Sequence, residues 1–188
     1  MMDWAELKSA CTSCNKCSLC RTRHNVVFGV GNPQADIMFV GEGPGEQEDL
    51  QGEPFVGPAG KLLDDILSII DLDRQNVYIA NIVKCRPPGN RDPLEEEQHA
   101  CFDHLRHQIA LVGPKIIVCL GRVAALKLIR PDFRITREHG MWTQRDGIWM
   151  TAVYHPSALL RDVSKRPDTF MDFLSIREKM QSLTLGDS

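Results

Sequence analysis

The sequence predicts an α/β fold, a three-layer α/β/α sandwich with a central four-stranded, mostly parallel sheet. Three observations lead there. Four short runs, 36–40 (DIMFV), 77–83 (VYIANIV), 116–120 (IIVCL) and 149–154 (WMTAVY), are apolar nearly throughout, the pattern of strands covered on both faces rather than the alternation of a half-exposed sheet. Segments of helical periodicity separate them, and strands alternating with helices build layers through right-handed crossovers. A length of 188 residues suits one hydrophobic core, so a single domain is expected over 1–188. Within it an N-terminal helix and a cysteine segment, 1–25, pack on the sandwich, and a tail from about 184 to 188 is expected to be disordered.

Each helix has its own signal. Leu62, Leu63, Ile66, Leu67, Ile69 and Ile70 recur at three- and four-residue spacing and make one apolar face after Gly60. Asp92, Pro93 and Glu95 to Glu97 supply an N-cap, a first-turn proline and an acidic first turn; Leu94, Cys101, Leu105 and Ile109 then fall on one side, with Cys101 inward. The residues at the strand ends carry the functional signal. The first run meets Gly41 and Glu42, the second carries Asn81, the third meets Gly121 and the fourth delivers His155. Ligands of open α/β sheets bind outside the carboxyl ends of the strands, so these residues should converge on one crevice.

A net charge of -3 argues against coating nucleic acid through a global positive field, and leaves only local basic groups for such contacts. No apolar run approaches the roughly 20 residues needed to span a bilayer, and no basic start followed by an apolar stretch marks a secretory leader. The expectation is a cytoplasmic protein without a membrane partner. There, thiols stay reduced, so the seven cysteines read as metal or cluster ligands rather than disulfides. Cys11, Cys14, Cys17 and Cys20 run at three-residue spacing, and Cys85 and Cys101 flank the loop RPPGNRDP. An iron-sulfur cluster and a zinc ion both suit such a set, and spacing does not select four ligands from six. Cys119, inside the third run, reads as a small buried hydrophobe.

The stretches CNKCSLCRTRHNVVFGVGNP, DIMFVGEGPGEQEDLQGEPFVGPAGKLLD, NIVKCRPPGNRDP and YHPSALLR resemble, in order and separation, the family 4 uracil-DNA glycosylases, which carry a 4Fe-4S cluster. The resemblance implies a monomeric repair enzyme that flips uracil from single- or double-stranded DNA, hydrolyses its glycosidic bond and leaves an abasic site. It implies cluster ligands Cys14, Cys17, Cys85 and Cys101, with Cys11 and Cys20 as extra cysteines. It implies that uracil stacks on Phe55, is read by Asn81, is lined by the amides of Gly41, Glu42 and Gly43, and leaves with help from His155. Glu48 is the candidate for crowding out thymine's methyl group, Leu159 for a wedge pushed into the helix, and Ser157 and Arg161 for phosphate contacts. Gly43 stands where the better-known single-domain enzymes have a water-orienting Asp, which leaves Glu42 and Asn90 to hold the water.

Three other readings stand beside this one. Glycines 29, 31, 41, 43 and 45 prompt a dinucleotide enzyme, but none completes GxGxxG at a helix start. The cysteine run prompts an electron carrier, which has no use for Asn81, Phe55 and HPSALLR. The missing Asp prompts a protein that binds uracil-containing DNA without turnover.

Overall fold

A computed structural model describes residues 1–186. Its strands are β1 (Val30–Gly31), β2 (Ile37–Gly41), β3 (Tyr78–Asn81), β4 (Ile116–Leu120), β5 (Thr143–Arg145) and β6 (Ile148–Val153). They form one sheet in the order β1-β3-β2-β4-β6-β5. The central four are parallel, and β1 and β5 pair antiparallel on the two edges. The sheet therefore has six strands, not the four expected. Both additions lack an apolar run: β1 is two residues long and β5, Thr-Gln-Arg, is exposed throughout.

The helices are α1 (Trp4–Thr12), α2 (Glu46–Gln51), α3 (Pro58–Ile69), α4 (Glu95–Val112), α5 (Arg122–Leu128), α6 (Ile135–Glu138), α7 (Pro156–Arg161) and α8 (Arg166–Gly186). Alternation along each parallel strand sorts side chains into two cores. Met38, Val40, Ala80, Ile117 and Cys119 meet Leu105, Ala124 and Leu128 from α4 and α5. Phe39, Ile79, Val118 and Val153 meet Leu63, Leu67, Phe173 and Ile176 from α3 and α8. Helices thus cover both faces, as a continuously apolar parallel sheet requires. Among the described residues no helix is long and apolar enough to cross a membrane.

Two local expectations are corrected. Helix α4 starts at Glu95, not after an Asp92 cap: Asp92 pairs with Arg122, while Glu97 accepts the Leu94 amide at 2.9 Å and the Arg91 guanidinium at 2.7 Å. The expected tail from about 184 is helical through Gly186, and its last two residues lie outside the described residues.

Candidate active site

The chain leaves the carboxyl end of β2 toward β3 on one side and that of the adjacent β4 toward β5 and β6 on the other, so the two connections diverge and leave a crevice. A cleft of about 690 Å³ opens there, lined by Glu42, Asn81, Gly121 and His155, the four strand-end positions that the sequence brings together. Gly43, Glu48, Phe55, Asn90, Ser157 and Arg161 also line it. Gly41 lies just beneath: a Cβ there would stand 2.5 Å from Asn81 Oδ1 and 2.8 Å from Phe55 Cζ. Glycine at 41 is what lets the ring and the amide close on one another.

Asn81 is 2 % exposed, and its Oδ1 has no hydrogen-bond partner. An orphaned buried acceptor costs roughly 1–3 kcal/mol, and in a cleft it marks where a ligand's N–H belongs. Phe55 sits in the left-handed backbone region, with φ of 54°, a conformation worth about 1–3 kcal/mol of strain outside glycine. The strain turns its ring into the cleft, with its centroid 5.5 Å from that of His155. Glycine is obligatory at position 60 too, since a Cβ there would overlap the Phe55 carbonyl.

His155 caps the N-terminus of α7. Its Nδ1 accepts the Ser157 amide at 3.0 Å and stands 2.7 Å from the Ser157 hydroxyl. A ring nitrogen that accepts carries no proton, so the neutral imidazole holds its hydrogen on Nε2. Burial, with the positive Arg161 nearby, pushes the pKa down to about 4. Gly121, at φ of 96°, leaves room for this ring; a Cβ there would come within 3.0 Å of His155 Cβ. The Ser157 hydroxyl thus lies against the imidazole, at the edge of the cleft it also lines.

On the opposite wall, burial first and then the neighbouring Asp92 carboxyl raise Glu42 to a pKa of about 7, against the pull of Arg122 and Arg161. Asp92 and Arg122 line the same cleft, and sequence reasoning missed both: Asp92 reads as a helix cap, and Arg122 belongs to no motif. Asn90, at φ of 57°, accepts Arg86 Nε on its Oδ1 at 2.7 Å, which fixes the side chain at the cleft mouth. Glu48 has its carboxylate fully engaged: Oε1 accepts the Gly45 amide at 3.2 Å, and Oε2 accepts those of Val56 and Gly57 at 3.2 and 3.1 Å. It is a fixed wall of the cleft and a tie for the Phe55 loop. Leu159 is 1 % exposed and buried, whereas its neighbour Leu160 is 44 % exposed. The expected wedge residue is thus turned inward, and the leucine presented to solvent is the next one along α7.

A second hollow lies behind the sheet end, walled by Cys11, Cys14, Cys17, Cys20, Cys85 and Cys101. Among the described residues no three His, Cys, Asp or Glu side chains are set to hold a single ion. Lys84 Nζ, in a side chain 1 % exposed, donates to Asn81 O at 2.9 Å and to Gln108 Oε1 at 2.6 Å, both neutral. A buried ammonium needs an opposite charge nearby, and the thiols of Cys101, Cys11 and Cys85 are what surround it. Arg23 Nη1 reaches Cys85 Sγ at 3.5 Å, and the Lys84 amide reaches Cys101 Sγ at 3.3 Å. An all-sulfur donor set facing two cations fits an anionic iron-sulfur cluster. Cys119 stays apart, fully buried in β4 as a core residue.

Residues 28–178 match the uracil DNA glycosylase superfamily. The chain is 47 % identical over 176 residues to the type-4 uracil-DNA glycosylase of Archaeoglobus fulgidus, covering 88 % of this chain and 87 % of that one. It is 45 % identical over 182 residues to that of Sulfurisphaera tokodaii, covering 92 % and 83 %. With the enzyme of Thermotoga maritima the identity is 46 % over 155 residues, 80 % of each chain. A family match over most of the sequence, with relatives this similar along most of their own lengths, places the chain in the uracil DNA glycosylase superfamily, among its type-4 members.

Proposed function

We propose that the chain removes uracil from DNA by hydrolysing the bond between N1 of the base and C1′ of the sugar. One observation carries this reading: the unpartnered Oδ1 of buried Asn81 lies near the edge of the Phe55 ring, in the cleft that Phe55 and His155 also line. A flipped uracil stacked on Phe55 gives its N3–H to that oxygen and takes the Asn81 amide N–H on O4; cytosine offers an acceptor and a donor at those atoms and is refused. His155 Nε2–H donates to O2 as the bond to C1′ breaks and the electron pair goes to N1. Water held by Glu42, with Asn90 beside it, adds to C1′ and gives its proton to the Glu42 carboxylate. The fixed Glu48 carboxylate walls the site against a 5-methyl group.

Arg161 and Lys165, both at the cleft rim, hold flanking phosphates, and Leu160 stands beside them as the apolar side chain presented to the duplex. All these residues come from one chain, which supports a monomer acting on single- or double-stranded DNA. Cys14, Cys17, Cys85 and Cys101 would hold a 4Fe-4S cluster. Such a cluster supplies a covalent tie between the N-terminal segment, the loop after β3 and α4. Multiple-turnover release of free uracil from a labelled oligonucleotide tests the reading. Tight binding without release would make the chain a reader of uracil-containing DNA, and inactivity of the parent on every uracil substrate would overturn the assignment.

A further inference from the structure

The Phe55 ring is useful only while its backbone stays in the left-handed region, and on the cleft side the Glu48 carboxylate holds the loop through the amides of Val56 and Gly57. The matching grip on the carbonyl side comes from outside the cleft. Arg74, in the turn between α3 and β3, donates through Nη1 to the Pro54 carbonyl at 2.8 Å and through Nη2 to the Phe55 carbonyl. Its Nε donates to Asp64 Oδ1 on α3 at 2.8 Å, so the plane of the guanidinium is itself oriented. Arg74 does not line the cleft.

We propose that Arg74 is a positioning residue of the base pocket, whose planar fork holds the carbonyls of Pro54 and Phe55 and so fixes the ring on which an extruded uracil stacks. This rests on the excision reading above. Lysine keeps the charge but presents a single ammonium, which cannot reach two carbonyls in fixed directions while also holding Asp64. The loss in Arg74→Lys is therefore geometric. It acts through Phe55 and not through any contact with DNA.

The experiment is a double-mutant cycle on single-turnover uracil excision, with amide hydrogen exchange of residues 53–60 measured on the same proteins. Arg74→Lys is expected to slow excision about tenfold or more, the scale of a misplaced reacting geometry. It is expected to speed exchange at Val56 and Gly57, and to add little once Phe55→Leu has removed the platform. Loss of general stability alone would instead multiply with the Phe55→Leu loss. Should Arg74→Lys fail to fold, Asp64→Ala at an exposed site removes the acceptor that orients the same guanidinium and is read by the same cycle. Parental excision in the folded variant, multiplying losses or unchanged exchange overturns the clamp. A parent that releases no uracil overturns the excision reading instead, and the exchange measurement still tests the clamp.

Discussion

His155 and Glu42 set opposite charge requirements in one cleft. Because Ser157 donates to Nδ1 and burial lowers the pKa from 6.5 to about 4, the imidazole stays neutral in the folded protein as pH falls through 6.5. The unfolded chain takes up that proton first, so acidification from 6.5 to about 4 removes stability while leaving the donor on Nε2 intact. Replacing His155 by Ala should lower excision by about 10²–10³-fold, the usual loss for one donor to developing negative charge. Circular dichroism should stay native, and a variant as fast as the parent would refute the leaving-group role. Glu42 runs the other way. Its pKa is raised from 4.5 to about 7, so its protonated form favours folding below 4.5 and that contribution is gone above about 7. Water activation needs the carboxylate. The single-turnover rate should rise with pH through about 7, and Glu42→Gln should lower the plateau and flatten that rise. A pH profile unaltered by the substitution would assign the water to another group.

Helix α7 shows what one element decides. It is six residues long, is capped by His155 and carries Leu159 into the core and Leu160 out toward solvent. Leu159→Ala should cost about 2–5 kcal/mol of stability, as a buried leucine truncation does, seen as a lower melting temperature. Leu160→Ala should leave melting unchanged and weaken excision from duplex more than from single strands. The reverse pattern would mean that α7 turns when DNA binds. The motif HPSALLR locates this helix at the cleft but not its rotation, because two adjacent leucines satisfy the same pattern and only packing against α3 chooses between them. The four central strands are legible for the opposite reason: burial on both faces writes an apolar run. Strand β5 is polar and exposed, so its only trace is the Asp146-Gly147 pair, both at positive φ, between Arg145 and Ile148, a two-residue hairpin turn. Asp92 misleads because Asp-Pro before three glutamates satisfies local capping rules, while its partner Arg122 lies 30 residues away. Phe55, Asn81 and His155 are legible because the loops that carry them have motifs of their own. Arg74 has none.

At the scale of the whole molecule, the cysteine hollow and the cleft share a wall. Asn81 lines the cleft, Lys84 folds back onto the Asn81 carbonyl, and Cys85 comes directly after it in the wall of the hollow. On the other side, buried Asp49 of α2 accepts the His24 amide at 2.8 Å and stands 2.6 Å from His24 Nδ1, tying the cysteine segment to the helix that carries Glu48. If Cys14, Cys17, Cys85 and Cys101 hold the proposed cluster, ligands from three distant segments act as a cross-link whose loss frees the loop after β3. Removing iron with a chelator should abolish the iron-thiolate absorbance near roughly 400 nm and lower the melting temperature. Excision should slow as Asn81 loses its fixed position. Lys84→Met, which leaves the thiolates without their buried cation, should lose iron faster than the parent. Cys119→Ala, in the core of β4 and outside the hollow, should keep both colour and rate. A colourless parent containing one zinc per chain, or an iron-free protein that melts and excises like the parent, would rule out the cluster and leave Lys84 without its counter-charge.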